Sequence, residues 1–442
     1  MDSQATSADV VIIGGGMAGL AAATYLARDG MAVTLFEKSS NLGGRAASSN
    51  HDGYWFNRGI HALYGGGATE HVLKELGIPY HGGIPKTVHV LAEGKLHLFP
   101  DNPRSLVGSH LLDMRDKWEL IRFFPALSRM KPKEWASVSV QEWLAQTFQR
   151  PKLRQLMAAL ARTNVYSAAL DLVSAEVNIK KLQMAVKSTN LYLDGGWQTL
   201  IDGLAQAAEE AGARIVRGSR VEAVEHREDH VQGVRMRDGS LIHASAVILA
   251  TGPQDACKLV DAGNYAPLRQ TVDRIVPGHV ACLDVALRRL PDPRYTIVQD
   301  LEKPRFFSVQ SRYSDVAPRG GALVYAFKQL DPVHPSDPRQ DERDLEDLLD
   351  TAQPGWRDVV VKRFYLPRID GVSMLPTARD GGYASRPGPQ VPGLTNLYLA
   401  GDWIGEGFLS DPSMGSARQV ARLLLQDTSC SREKTVAAGL VR

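Results

Sequence analysis

Residues 10–13 and 32–36 are short runs of branched apolar residues, the pattern of strands buried on both faces. Between them, residues 17–28 repeat small and apolar side chains at helical spacing, and Asp29-Gly30 breaks the helix. The chain therefore opens as strand, turn, helix, strand. Residues 69–77 read as a helix, and 88–100 as a hairpin turning at Glu93-Gly94. From 111 to about 186 the pattern is mainly helical, with Pro103, Pro125, Pro132 and Pro151 as breaks. A helix over 197–211 and a strand over 213–216 follow. Residues 220–250 form a three-stranded meander that turns at Glu228-Asp229 and Asp238-Gly239 and ends in the apolar run AVILATG. Residues 279–330 hold several strand candidates, 338–350 an acidic helix, and 394–403 a last buried strand. Residues 413–426 form a helix with Met414, Ala417, Val420, Ala421, Leu424 and Leu425 on one face. The tail after Asp427 is polar and is expected to fray. No internal repeat is visible.

Glycines fill the first turn. Gly14, Gly16 and Gly19 form GxGxxG between a strand and a helix, the setting in which that spacing has physical meaning. Gly14 allows the tight turn, Gly16 lets a pyrophosphate approach the backbone, and Gly19 lets the helix sit close on the sheet. The pyrophosphate would lie at the helix N-terminus, at Met17 and Ala18, where free N–H groups and the dipole favour negative charge. Glu37, followed by Lys38, ends the second strand 18 residues after Gly19. A carboxylate there can accept from both hydroxyls of an adenosine ribose, and it repels a 2′-phosphate. The motif points to a dinucleotide and leaves NAD and FAD open.

A chain of 442 residues admits roughly three domain-sized units. The nucleotide-binding elements lie at the start, near 213–252 and near 397–426. The economical arrangement is an α/β fold with one discontinuous, Rossmann-like dinucleotide domain, residues 1–80, 190–260 and 371–430. A second, mixed α+β substrate or cap domain then comes from the insertions 81–189 and 261–370, and 431–442 is a tail.

Charge narrows the function classes. Lys and Arg number 51 against 49 Asp and Glu, and the basic residues are scattered, so nucleic acid is not an expected partner. Cys257, Cys282 and Cys430 are widely spaced, without CxxC, which suggests neither a disulfide framework nor a thiol pair. A reduced, cytoplasmic compartment fits. The segment MDSQATSAD has no basic and apolar regions of a signal peptide. No apolar stretch reaches the roughly 18 residues of a membrane span. The 12 histidines show no ligand spacing, and no metal is expected.

With Gly14, Gly16, Gly19 and Glu37 in place, three further segments carry a resemblance: GGRA at 43–46, ATG at 250–252 and NLYLAGDW at 396–403. Together they resemble the flavin-containing amine oxidase and phytoene desaturase superfamily. The resemblance implies non-covalent FAD as cofactor and a discontinuous FAD-binding domain of the GR2 type. It implies that Gly43 and Gly44 bring backbone to the flavin side, and that Arg45 faces the pyrophosphate or the flavin. Gly59, Ile60 and His61 would lie near the flavin. The Val221 backbone would contact adenine, and Ala250, Thr251 and Gly252 would line the nucleotide half. Gly401 and Asp402 match the pair near the pyrophosphate and ribityl chain. Met414, Gly415 and Ala417 would begin the helix whose N-terminus points at flavin O2, where reduction places negative charge. The paired aromatic residues of the amine oxidases are not matched, although Trp403 and Phe408 are nearby. Lys328 reads as a surface lysine at a strand end rather than one placed near the flavin.

The resemblance implies an FAD-dependent oxidoreductase that takes a hydride from a substrate C–H onto flavin N5. The first reading is a desaturase or dehydrogenase of an apolar, isoprenoid-like or polyketide-like small molecule. The alternatives are a flavin amine oxidase producing imine and hydrogen peroxide, a redox-neutral flavin-dependent isomerase, and a non-catalytic flavin-binding protein. His61 is the candidate base, against a purely structural histidine. Substrate identity, electron acceptor and oligomeric state are not encoded in any motif.

Residues 105–135 combine Leu111, Leu112, Trp118, Ile121, Phe123, Phe124 and Trp135 with Arg115, Lys117, Arg122, Arg129, Lys131 and Lys133. An interfacial helix needs that mixture to make weak peripheral contact with an anionic membrane. Asp113, Asp116 and Glu119 dilute the charge, so the favoured expectation is an apolar face packed inside the cap with solvated basic residues around it.

Overall fold

The computed structural model describes residues 7–100 and 103–439, and the side chains of 7–100 and 105–427. The first six residues and the side chain of Cys430 lie outside the described residues.

Two seven-stranded sheets carry the fold. The first has four parallel strands in the order Arg214–Val216, Val33–Phe36, Ser7–Ile13 and Leu241–Leu249. The last of these has two partners along its other edge. Its first part pairs antiparallel with His230–Met236, and its end pairs parallel with Leu397–Leu399, Val247 opposite Leu397. Val221–Arg227 completes the meander. Three remote stretches of chain thus build one sheet. Val10, Val11 and Ile12 are fully buried, as strands covered on both faces require. The helices Met17–Arg28, Gln198–Glu210 and Asp411–Gly439 share one apolar cluster with Val10, Ile12 and Leu35.

The turn after Ser7–Ile13 needs its glycines for two different reasons. Gly14 has φ +112°, and a Cβ there would lie 2.5 Å from the carbonyl oxygen of Ala250. A Cβ on Gly19 would lie 2.0 Å from the carbonyl oxygen of Gly14. The helix therefore rests directly on the turn.

The second sheet runs in the order Val360–Val372, Gly278–Leu287, Ala322–Gln329, Arg305–Val309, Ile297–Asp300, His89–Ala92 and Lys95–Leu98. Its strand Gly278–Leu287 alternates sides. Ala281, Leu283, Val285 and Leu287 join the cluster under the helix Pro338–Ala352, while Val280 and Cys282 join the cluster of the helical stretch before Lys187. Ser139 and Glu142 form a capping box on the helix Val140–Thr147, as do Asp113 and Asp116 on Met114–Arg129.

Three expectations differ from the structure. Pro125 lies inside the helix Met114–Arg129 rather than breaking it; it sits on the exposed side of the helix, where the loss of its N–H donor is best tolerated. Pro103, Pro132 and Pro151 do start helical segments. The last helix begins at Asp411 and runs to Gly439, past the expected fraying point. Lys328 is not on the surface: its Nζ donates to Asp341 and Asp344 at 2.7 Å each, and its side chain is 13% exposed.

Candidate active site

A cavity of about 1840 Å³ is walled by residues of both sheets. At one end lie Gly14, Gly16, Met17, Ala18, Glu37, Lys38, Val221, Ala250, Thr251 and Gly252. Gly16 caps the helix Met17–Arg28 in extended backbone with no side-chain acceptor, so the first-turn N–H groups face the cavity unclaimed. A Cβ on Gly16 would meet nothing nearer than the Gly43 carbonyl oxygen at 4.0 Å; the space is cavity, which a side chain would occupy in place of a ligand. Glu37 accepts from the backbone N–H of Gly15 and of Ser39, each at 2.8 Å. A carboxylate has about four acceptor sites, which leaves Glu37 two for hydroxyls.

Gly43 N–H donates to the Gly15 carbonyl at 2.8 Å, which draws the 43–46 loop onto the glycine turn. Gly43, Gly44 and Arg45 wall the cavity there, opposite Gly401 and Asp402. Arg45 Nη1 donates to Asp402 at 2.9 Å, and Asp402 also accepts from Ser373 N–H at 2.8 Å. Burial alone would raise the Asp402 carboxyl; the Arg45 charge and these hydrogen bonds hold it below the usual range. Arg45 is thus a member of an ion pair whose carboxylate is buried, as well as a cavity residue.

Toward the other end stand Ile60, His61, Tyr64, Tyr166, Trp197, Val280, Cys282, Ile369 and Leu409. His61 Nδ1 donates to the Gly59 carbonyl at 3.0 Å, its ring lies 5.0 Å from that of Trp197, and burial lowers its pKa, so the ring is neutral. Lys181 sits behind this wall, its Nζ 3.3 Å from the Tyr64 ring centroid, with no hydrogen-bond partner. Burial brings its pKa down to about 8.

Two buried polar atoms of cavity residues also lack partners, Thr251 Oγ1 and Trp197 Nε1. Together with the unclaimed helix N-terminus and the space at Gly16, they fit a bound dinucleotide. Among the described residues, no cluster of three His, Cys, Asp or Glu side chains is placed to hold a metal ion.

Five expected cofactor residues do not reach the cavity. Gly19 supports the turn, and a Cβ on Gly59 would meet Ile369 and Cys282 side chains. Met414 and Ala417 are fully buried in the apolar cluster on the first sheet, and Gly415 lies beside Ala68. That helix begins two residues earlier than expected, and Ser413 in its first turn, with Ser410 just before it, lines the wall instead. Trp403 and Phe408 are buried away from the cavity, Trp403 donating to the Thr251 carbonyl at 3.1 Å. The aromatic residues of the site are instead Tyr64, Tyr166 and Trp197, which no motif singled out.

A Rossmann-like nucleotide cradle that continues into a chamber walled by a second sheet defines a dinucleotide-dependent oxidoreductase. Residues 17–425 match the family described as flavin containing amine oxidoreductase. The chain belongs to that family and is a flavin-dependent enzyme. It is 23% identical over 502 residues to the carotenoid 3,4-desaturase of Haloarcula japonica, across 96% of this chain and 99% of that one. The fold is shared with an oxidoreductase from Methanosarcina mazei, at 18% identity and TM-score 0.74 over 93% of this chain and 99% of that one. It is shared also with putrescine oxidase bound to putrescine, at 16% identity and TM-score 0.72 over 95% of this chain and 99% of that one.

Proposed function

We propose that the flavin is non-covalent FAD and that the enzyme desaturates an apolar, isoprenoid-like molecule. When bound, the flavin supplies a hydride acceptor for a substrate C–H. On this reading residues 1–80, 190–260 and 371–430 bind it, and 81–189 and 261–370 enclose the substrate. The chain's own residues bind and orient. The N–H groups of Met17 and Ala18 hold the pyrophosphate, Glu37 accepts from the ribose, and the Arg45–Asp402 pair fixes the loop between nucleotide and chamber. Neutral His61 holds the Gly59 turn and Trp197 in place and offers no charge to the substrate.

One observation carries the apolar reading over an amine. Every carboxylate that walls the cavity is already engaged: Glu37 by N–H groups, Glu222 by Arg220, Glu225 by Arg235, Asp255 by Lys38, Asp261 by His226, Asp370 by His279 and Asp402 by Arg45. Apart from the two acceptor positions that Glu37 keeps at the nucleotide end, no acid is left to receive a substrate ammonium. The full-length similarity to a carotenoid desaturase supports the same class. The test is anaerobic mixing with detergent-solubilised polyenes and, separately, with amines. Flavin bleaching by a polyene, with a product two hydrogens lighter, is the expected result. Bleaching by an amine alone, with peroxide and imine after air is admitted, overturns it.

A further inference from the structure

The helix Met114–Arg129 has two apolar faces. One, formed by Leu120, Phe123 and Leu127, is buried in the cluster that also holds Tyr166, Val280 and Cys282 of the cavity wall. The other is in water. Met114 is 66% exposed, Trp118 62%, Ile121 48% and Phe124 45%. Their spacing places them on one stripe of the helix, with Pro125 between them. Val107, 79% exposed on the preceding short helix, is tied to this stripe by Lys117, whose Nζ donates to the Val107 carbonyl at 3.0 Å.

Charge around the stripe has one sign. Arg115, Arg122 and Arg129 recur every seven residues, so they form a row along one edge of it. None of these three side chains makes a hydrogen bond or ion pair among the described residues. The acids that dilute the charge in the sequence are turned elsewhere. Asp113 and Asp116 cap the helix and hold Arg150, Asp116 accepting from its Nε at 2.9 Å. Glu119 accepts from the backbone N–H of Gln149 at 2.6 Å and of Arg150 at 3.2 Å. The expectation of a buried apolar face diluted by acids therefore holds for only one side of the helix.

We infer that this face docks the enzyme onto an anionic lipid surface. Protruding Trp, Ile, Phe and Met flanked by Arg is the chemistry of an interfacial helix, whose apolar side chains enter the headgroup boundary while guanidinium groups meet lipid phosphates. Charge selects this occupant over a second copy of the chain. A two-fold interface on the stripe sets the same patch against itself and crowds the two arginine rows. Among the described residues no helix is long and apolar enough to cross a membrane, so attachment is at the surface only. The inference does not depend on the substrate assigned above.

Cosedimentation of the holoenzyme with vesicles tests it. Protein should pellet with phosphatidylglycerol-containing vesicles and not with pure phosphatidylcholine. Binding should fall as salt rises from about 0.1 M to about 1 M, since the Debye length shrinks from about 10 Å to about 3 Å. The variant Arg115→Gln/Arg122→Gln/Arg129→Gln should lower partitioning about a hundredfold, at about fivefold per arginine. Trp118→Ser should lower it about tenfold, as loss of inserted apolar area requires. All four positions are exposed, so circular dichroism and melting temperature should match the parent. No pelleting with anionic vesicles, or equal pelleting of the arginine variant, overturns the inference. So does a dimer, seen by sedimentation velocity, that Trp118→Ser abolishes, because the face is then a self-interface.

Discussion

Gly16 and Gly19 stand three residues apart in one motif and answer to different constraints. Gly19 is squeezed: a Cβ would press on the Gly14 carbonyl at 2.0 Å, and neither backbone can yield. Gly16 has room, and the room is the cavity. Gly19→Ala should therefore destabilise the apoprotein severely, by the mechanism of overpacking against backbone. Gly16→Val should leave the apoprotein's melting temperature nearly unchanged and empty the site of flavin. Thermal melts of deflavinated protein, beside the flavin-to-protein absorbance ratio after reconstitution, separate the two. A Gly16→Val enzyme with full flavin would show that the pyrophosphate does not lie at this turn. Such residues are legible in sequence because their constraint is local: strand, turn and helix adjoin in the chain. Tyr64, Tyr166 and Cys282 are not legible, since they become neighbours only when three remote segments fold together.

At the scale of elements, the helix Pro338–Ala352 is fastened to the second sheet by charge as well as by Leu345, Leu348 and Leu349. Lys328 on the sheet holds Asp341 and Asp344, Lys303 donates to Asp344 at 2.9 Å, and Arg305 donates to Asp300 at 2.6 Å and to the Asp344 carbonyl. Burial on its own would raise Asp344; hydrogen bonds from Lys328 and Lys303 overcome it and hold the carboxyl at about 2. Its folded pKa is below its unfolded value of 3.8, so its stabilisation is present above 3.8 and is lost as pH falls through about 2. Lys328→Met should cost about 3–5 kcal/mol, because it strands buried carboxylates. It should also flatten this acid limb of the stability curve, and it should leave the flavin spectrum unchanged. Urea melts from pH 5 to pH 2, roughly the window of carboxylate titration, would show both. A shifted flavin spectrum would mean that Lys328 acts on the site after all. The helix itself was readable from its acidic, amphipathic pattern; its partner was not, because a lone lysine at a strand end looks the same whether water or a helix covers it.

The proposed cofactor site draws on the whole length of the chain. The cradle's residues come from 14–45, 221–252 and 401–413, and the chamber adds residues from 60–64, from Tyr166 and Trp197, and from the second sheet. The order of the glycine turn, the ATG segment and the Gly-Asp pair was legible because each marks the end of a parallel strand in the first sheet. Of the chamber, Ile60 and His61 were legible; the rest was not, because its walls belong to a sheet and a helical layer that carry no motif. A ligand that touches segments so far apart stabilises the assembled state alone, so removing the flavin should lower the melting temperature. Returning FAD at about 100 times its Kd should restore about 2.7 kcal/mol, with a further increment for each tenfold rise in concentration. FMN lacks the adenosine assigned above to the end of the cavity with Glu37 and Val221, so on that reading it should give a much smaller shift at equal concentration. Differential scanning fluorimetry of deflavinated protein against FAD and FMN decides the matter. Equal shifts from the two flavins would show that the nucleotide end of the cavity is not used; a large FAD shift that Glu37→Gln reduces toward the FMN value would place the ribose at that carboxylate.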